Sequence, residues 1–178
     1  MTILLNPKKH SRPYSDERSR EVMLKTIEFF ERKGKARIKE DYHARVWYAD
    51  FLDFVGEEKI FATMCTPAGH GAPDSRWDTW RICEFAEILG FYGLQYWYTY
   101  QVTVLGLGPI WMSDNEAIKL RAARALEQGG IFAFGLSEKE HGADVYSTDM
   151  LLSPQGDGRY KANGSKYYIC LLYTSPSP

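Results

Sequence analysis

The apolar residues change their period once, at Gly129-Gly130, and that change divides the 178-residue chain into two kinds of structure. Before it, apolar positions recur at the three-and-four spacing of helices packed on one face. Ser15 stands ahead of a run from Asp16 to Lys33 with acidic residues first and basic residues last, and Met23, Leu24, Ile27 and Phe30 form its apolar face. Gly34 ends that helix. A second helix is expected over Asp41–Val55, with Trp47, Phe51, Phe54 and Val55 inward and Gly56 as its stop. A third is expected to open at Ser75, paired with Asp78, and to end at Gly90. The stretch Phe91–Leu105 reads as the most buried helix. Ser113 and Glu116 form another capping pair, opening a helix through Ala125.

After the glycine pair the runs shorten. Ile131–Leu136 is a brief apolar run, expected as a buried strand, and Met150–Ser153, Arg159–Ala162 and Ser165–Ile169 are further strands. Pro154–Gly158 and Asn163-Gly164 are the turns between them, since Asn-Gly supplies the positive φ that a tight hairpin needs. The fold class is therefore α+β: an all-α N-terminal domain over residues 1–129, then, over 130–169, the first strands of a β domain. The last nine residues, Cys170–Pro178, read C-L-L-Y-T-S-P-S-P, carry no charge and abandon the strand pattern. They resemble the translated read-through of a sequencing-library adaptor, so the natural sequence is expected to stop at Ile169 and the chain to be a truncated fragment.

Composition narrows the class of function. With 22 Lys and Arg against 23 Asp and Glu, the net charge is −1, which lacks the basic excess of a nucleic-acid binder. Three widely spaced cysteines, with no C-x-x-C pair, support neither a disulfide framework nor a zinc site. The N-terminus has too short an apolar run for a secretory signal, and a cytoplasmic protein is expected. From Phe91 to Met112 no side chain is charged, but Gln95, Gln101, several tyrosines and Gly106-Leu107-Gly108-Pro109 favour a helix buried in a bundle over a membrane span. The same G-L-G-P lacks the third glycine of a dinucleotide fingerprint; Leu105, Leu107, Ile110 and Trp111 around it read as core, with an apolar lining role as the alternative. The four histidines are scattered singly, so no metal and no catalytic dyad is assigned, and His70 is expected in solvent. Glu57-Glu58-Lys59 reads as a solvated face.

The most informative stretch is Ile131–Asp144, I-F-A-F-G-L-S-E-K-E-H-G-A-D, an apolar run entering a loop of small and polar residues. Such a loop lets backbone N–H groups approach a planar or anionic ligand. Its part L-S-E-K-E-H-G-A-D-V, Leu136–Val145, resembles the flavin loop of the acyl-CoA dehydrogenases, L-T-E-P-x-A-G-S-D. At the usual distance behind it, Tyr160–Ile169, Y-K-A-N-G-S-K-Y-Y-I, is similar to that family's Y-x-I-N-G-x-K-x-W-I-T-N.

The resemblance implies an N-terminal helical domain, a middle antiparallel β-barrel-like domain and a C-terminal four-helix bundle enclosing FAD. Phe134, Gly135 and Leu136 would then lie on the strand whose backbone meets the flavin, with Ser137 in place of the family threonine whose hydroxyl contacts it. Gly142 sits in the loop near the cofactor. Ala143 stands where a serine facing the acyl-CoA is usual, Tyr168 where a tryptophan packs on the flavin, and Ile169 follows. Lys139 departs from the family proline.

The implied reaction is α,β-dehydrogenation of an acyl-CoA thioester, in fatty acid metabolism, with electrons passed to an electron-transfer flavoprotein and a homo-oligomeric full-length protein. The family's base lies in the C-terminal bundle, so no catalytic residue is assigned and the fragment alone is expected to be inactive. The alternatives are a flavin acyl-CoA oxidase or monooxygenase of the same fold, or a non-enzymatic helical interaction module.

Overall fold

The computed structural model describes residue 7, residues 13–144 and residues 146–169; the adaptor-like stretch 170–178 lies outside them. Among the described residues are seven helices: α1 (Glu17–Lys33), α2 (Lys35–His43), α3 (Ala49–Glu57), α4 (Ile60–Cys65), α5 (Thr79–Tyr92), α6 (Leu94–Trp111) and α7 (Glu116–Glu127). Two strands, β1 (Leu151–Pro154) and β2 (Tyr160–Asn163), form one antiparallel sheet. The chain is thus mostly helical with a single two-stranded sheet, and no barrel closes among the described residues. It divides into two units, Met1–Phe132 and Ala133–Pro178.

Helices α1, α5 and α7 start where a side-chain carboxylate or amide meets their unpaired N–H groups, each time at a residue other than the serine expected. Asp16, rather than Ser15, caps α1 by accepting from the Ser19 N–H at 2.8 Å, while the Ser15 hydroxyl donates to Asp16. Asp78 caps α5 alone, and Ser75 stays buried in the preceding loop. Asn115 caps α7, while Ser113 donates back to the Ile110 carbonyl. The buried face of α1 is Val22, Met23, Thr26, Phe29 and Phe30; Leu24 lies off that stripe and is 41% exposed.

The single helix expected over Asp41–Val55 is instead two. Arg45 takes a left-handed φ of 54°, and the Val46 N–H turns back to the Asp41 carbonyl at 2.9 Å. Gly56, expected as a stop, lies inside α3 and packs closely on Gly129: a Cβ on Gly129 would stand 3.1 Å from the Gly56 Cα. Helix α4, not anticipated, buries all six of its residues. Helix α6 runs through the G-L-G-P sequence to Trp111 and buries one stripe (Tyr96, Thr99, Tyr100, Thr103 and Leu107), leaving Leu94, Tyr98 and Leu105 exposed. It is not the uniformly buried helix its hydropathy suggests. No helix of the described residues is long and apolar enough to cross a membrane.

Aromatic rings fill the helical core. Phe30 stacks on Tyr92 at 4.6 Å between centroids, and Tyr96 meets Phe30 and Phe51 edge-on at 4.8 and 4.9 Å. Lys33 binds Asp41 at 3.0 Å and Asp50 at 2.6 Å, tying α1 to α2 and α3. Expected as solvated, Glu58 pairs with Lys25 at 2.6 Å, and Lys59 donates to the Glu127 carbonyl.

One buried charge organises this unit. Arg81 is 1% exposed, and every donor group of its guanidinium has a partner: Nε donates to Ser19 Oγ, Nη1 to the carbonyls of Thr63 and Asp74, and Nη2 to both Asp16 oxygens. Burial works to raise the Asp16 pKa, but hydrogen bonds from Ser19 and Ser15 and the charge of Arg81 outweigh it, holding the carboxyl far below its usual range.

In the second unit the Ile131–Leu136 run joins no ladder among the described residues. The run divides at Phe132, whose N–H donates to Thr103 Oγ1 of α6 at 3.2 Å. The β1–β2 hairpin forms one residue later in each strand than expected, closing through a Gln155–Arg159 loop with Gly156 and Gly158 at φ 82° and 79°. Among the described residues no third strand follows Asn163-Gly164. Instead the chain turns toward residue 137, where the Tyr167 N–H donates to the Ser137 carbonyl at 2.8 Å.

Arg81→Leu removes the buried cation beside Asp16 and one donor from each of the Thr63 and Asp74 carbonyls, while Ser15, Ser19 and Arg76 still reach Asp16. Urea unfolding is therefore expected to show a loss of about 2–3 kcal/mol; a loss below about 0.5 kcal/mol would contradict this reading. Because the folded Asp16 pKa is depressed, its contribution is complete above the unfolded value of about 4 and is lost as pH falls below it. Asp16→Asn is expected to flatten that acid limb of the stability profile.

Candidate functional site

The second unit draws together parts of the chain that are far apart in sequence around one carboxylate. Glu138 is 7% exposed. Its Oε1 accepts from Lys166 Nζ at 2.7 Å, from the Thr148 hydroxyl at 2.5 Å and from the Met150 N–H at 3.2 Å, and its Oε2 accepts from the Asp149 N–H at 2.6 Å. Lys166 adds a bond to the Leu136 carbonyl at 2.9 Å. The ammonium of Lys166, the Thr148 hydroxyl and these N–H groups hold the Glu138 carboxyl down at about 2. A carboxylate so depressed and so fully bonded is a structural anion, not a general base near neutral pH.

The backbone closes a turn around the same residue. The Glu138 N–H donates to the His141 carbonyl at 3.0 Å and the His141 N–H to the Glu138 carbonyl at 3.3 Å, leaving Lys139 and Glu140 exposed at the tip. His141 is not the solitary side chain expected: Nδ1 lies 2.8 Å from Asp144 and Nε2 3.4 Å from Asp149. The hydrogen bond to Asp144 chiefly, with Asp149 in support, raises the imidazole pKa. Glu138, His141 and Asp149 offer ligand atoms within 4.8 Å of one another, a donor set a divalent cation could use. However, Lys166 already supplies a cation at Glu138, and the carboxylate accepts four donors, so the cluster is a hydrogen-bonded hub.

Around the hub stand the residues singled out in the sequence. Gly135 lies beside Ile169, whose Cγ1 would be 3.9 Å from a Cβ built on the glycine. Leu136 is 39% exposed with its carbonyl held by Lys166, and Ser137 is half-buried with its carbonyl held by Tyr167. Phe134 is half-buried, and Ile169 is buried. Tyr168 is 75% exposed at a left-handed φ of 65°, its ring 5.2 Å from that of Tyr167. Thus Gly135, Leu136 and Ser137 are brought beside Lys166, Tyr167 and Ile169. Gly142 and Ala143 lie in the exposed loop that the His141–Asp144 contact closes, with open space beside Gly142.

Three residues of this arrangement, Glu138, Thr148 and Lys166, were not anticipated. The signal was present as opposite charges in the two motifs, 28 residues apart. In the helical unit, Leu107 is core, Leu105 is exposed, and Ile110 and Trp111 pack partly buried against the core. His70, expected in solvent, is half-buried and lies 3.0 Å from Glu116.

No family model matches the chain. Over 144 residues it is 28% identical to the short-chain-specific acyl-CoA dehydrogenase of Megasphaera elsdenii, covering 80% of this chain and 38% of that protein. The sequence relationship is to an acyl-CoA dehydrogenase. The acyl-CoA dehydrogenase-like chain therefore spans well under half the length of the curated relative it matches. Its fold is shared with a solved structure from work on the electron transferring flavoprotein of Acidaminococcus fermentans and flavin-based electron bifurcation. There the TM-score is 0.69 at 24% identity, over 88% of this chain and 40% of that one.

A histidine whose folded pKa is raised contributes stability that is complete below the unfolded value of about 6.5 and is lost as pH rises through the folded one. An NMR titration of His141 is expected to place its midpoint above 6.5, with Asp144→Asn lowering it. A wild-type midpoint at or below 6.5 would contradict the clasp.

Proposed function

We propose that these residues are the N-terminal part of an FAD-dependent acyl-CoA dehydrogenase that forms the α,β double bond of an acyl-CoA thioester. In this reading 1–129 is the helical domain, 130–169 begins the cofactor-contacting middle β domain, and 170–178 is foreign to the natural protein. The observation that carries it is the bond from Tyr167 N–H to the Ser137 carbonyl, which joins the two flavin-type motifs, together with the relationship to an acyl-CoA dehydrogenase.

The residues present fit a flavin. Residues 133–137 join no ladder among the described residues, and beside them stand the partly exposed Leu136 and the exposed Tyr168. Backbone amides next to apolar and aromatic surface suit a planar heterocycle that has polar groups along its edge. Phe134, Gly135, Leu136 and Ser137 would hold one edge of the ring system, Tyr168 and Ile169 would pack against it, and Gly142 and Ala143 would admit it closely from the loop. A bound flavin supplies the two-electron acceptor, and the protein supplies orientation and the exclusion of water.

All eight residues of the hairpin are exposed, Leu151, Leu152 and Tyr160 among them. A two-stranded hairpin with so much apolar surface suits a larger sheet that further chain completes. Glu138 is committed to Lys166, so the base is assigned to the missing C-terminal bundle, and an electron-transfer flavoprotein is the proposed acceptor. The whole protein is proposed to act in fatty acid metabolism as a homo-oligomer in the cytoplasm.

Protein expressed from the complete gene is expected to purify with the visible absorption of bound flavin and to convert an acyl-CoA to its enoyl-CoA with an electron-transfer flavoprotein as acceptor. Residues 1–169 alone are expected to form none. A colourless full-length protein that takes up no added FAD would contradict the proposal, and stoichiometric hydrogen peroxide would replace the dehydrogenase by an oxidase.

A further inference from the structure

Lys166 does more than neutralise Glu138. A lysine ammonium has three donors, and here three oxygens from separate parts of the loop surround it: Glu138 Oε1 at 2.7 Å, the Leu136 carbonyl at 2.9 Å and Thr148 Oγ1 at 3.3 Å. Its side chain is 22% exposed and that of Glu138 5%, so the ion pair that anchors the ammonium is largely withdrawn from solvent, while the bond to Leu136 lies nearer the surface. The bond to Leu136 is the informative one. A pair serving only to balance charge would need Glu138 alone. The bond to a main-chain carbonyl fixes the orientation of the peptide joining Leu136 to Ser137, and the next residue after Lys166 fixes the following peptide through the Tyr167–Ser137 bond.

We infer that Lys166 is a positioning residue: it sets the Leu136–Ser137 backbone in the geometry that receives the ligand, through its bond to the Leu136 carbonyl, while Glu138 and Thr148 hold the ammonium in place. The inference rests on the flavin reading for the identity of the ligand, but not for the positioning itself. It separates two roles that a simple ion pair would combine. Removing Lys166 leaves Glu138 as a buried charge without its partner, which destabilises the unit. Removing both charges relieves that penalty, yet the Leu136 carbonyl still lacks its donor. Stability and ligand affinity must therefore part company in the double variant.

The test uses full-length protein carrying Lys166→Met, Glu138→Gln or both, with FAD affinity measured after removal and re-addition of FAD and with thermal melting measured alongside. Lys166→Met is expected to lower the melting temperature and to weaken FAD binding by about tenfold or more. The double variant is expected to recover most of the melting temperature while its affinity stays about tenfold weak. Recovery of both together overturns the inference, since it would mean that the pair is structural only. Hydrogen exchange of the flavin-free double variant gives a second readout: faster exchange at the amides of residues 136–138 and 167 than in wild type supports positioning, and unchanged exchange overturns it. Failure of the wild-type protein to take up FAD would count against the flavin reading, and the exchange experiment would still decide the role of Lys166.

Discussion

Burying a carboxylate is unfavourable unless donors surround it, and the second unit is arranged to meet that demand at Glu138. The donors come from Lys166, Thr148 and the backbone at Asp149 and Met150, so satisfying one side chain draws in the entry to β1 and the segment beyond β2. This requirement gives order to a stretch that has little regular structure. It also accounts for the fate of Ser165–Ile169, which follows an Asn-Gly sequence suited to a hairpin yet forms no third strand. Capture of Lys166 by Glu138 and of the Tyr167 N–H by Ser137 turns the chain toward the loop instead.

The helical unit meets the same demand at Arg81. There the buried group is a cation, and its acceptors are the α1 cap, a serine one turn on, the Thr63 carbonyl of α4 and the Asp74 carbonyl of the connection before α5. In both units a polar centre fixes which segments meet, while side-chain packing fills the space around it. The aromatic cluster of Phe30, Phe51, Tyr92 and Tyr96 provides that packing in the first unit.

Much of the helical part was legible from apolar spacing and glycine stops, because α1, α5 and α7 each have a polar cap and one apolar face. The break between α2 and α3 was not, since it depends on Arg45 adopting a left-handed conformation that its residue type does not announce. Hydropathy misjudged α6: Leu94, Tyr98 and Leu105 are apolar but lie away from the core, and a sequence window does not register facing. At the candidate site the two motifs could be recognised in the sequence, including the residues Gly135–Ser137 and Ile169 that the fold brings together. The hub itself was obscured, because a glutamate and a lysine 28 residues apart look like surface charges until the fold closes the distance to 2.7 Å.

The central claim is that residues 134–137 and 168–169 form one wall of a flavin site. The crystal structure of the complete protein with FAD tests it most directly. The account predicts the isoalloxazine ring in van der Waals contact, about 4 Å, with the backbone of 134–137 and with the ring of Tyr168. A flavin seated elsewhere, with those two segments facing solvent or another element, would contradict it.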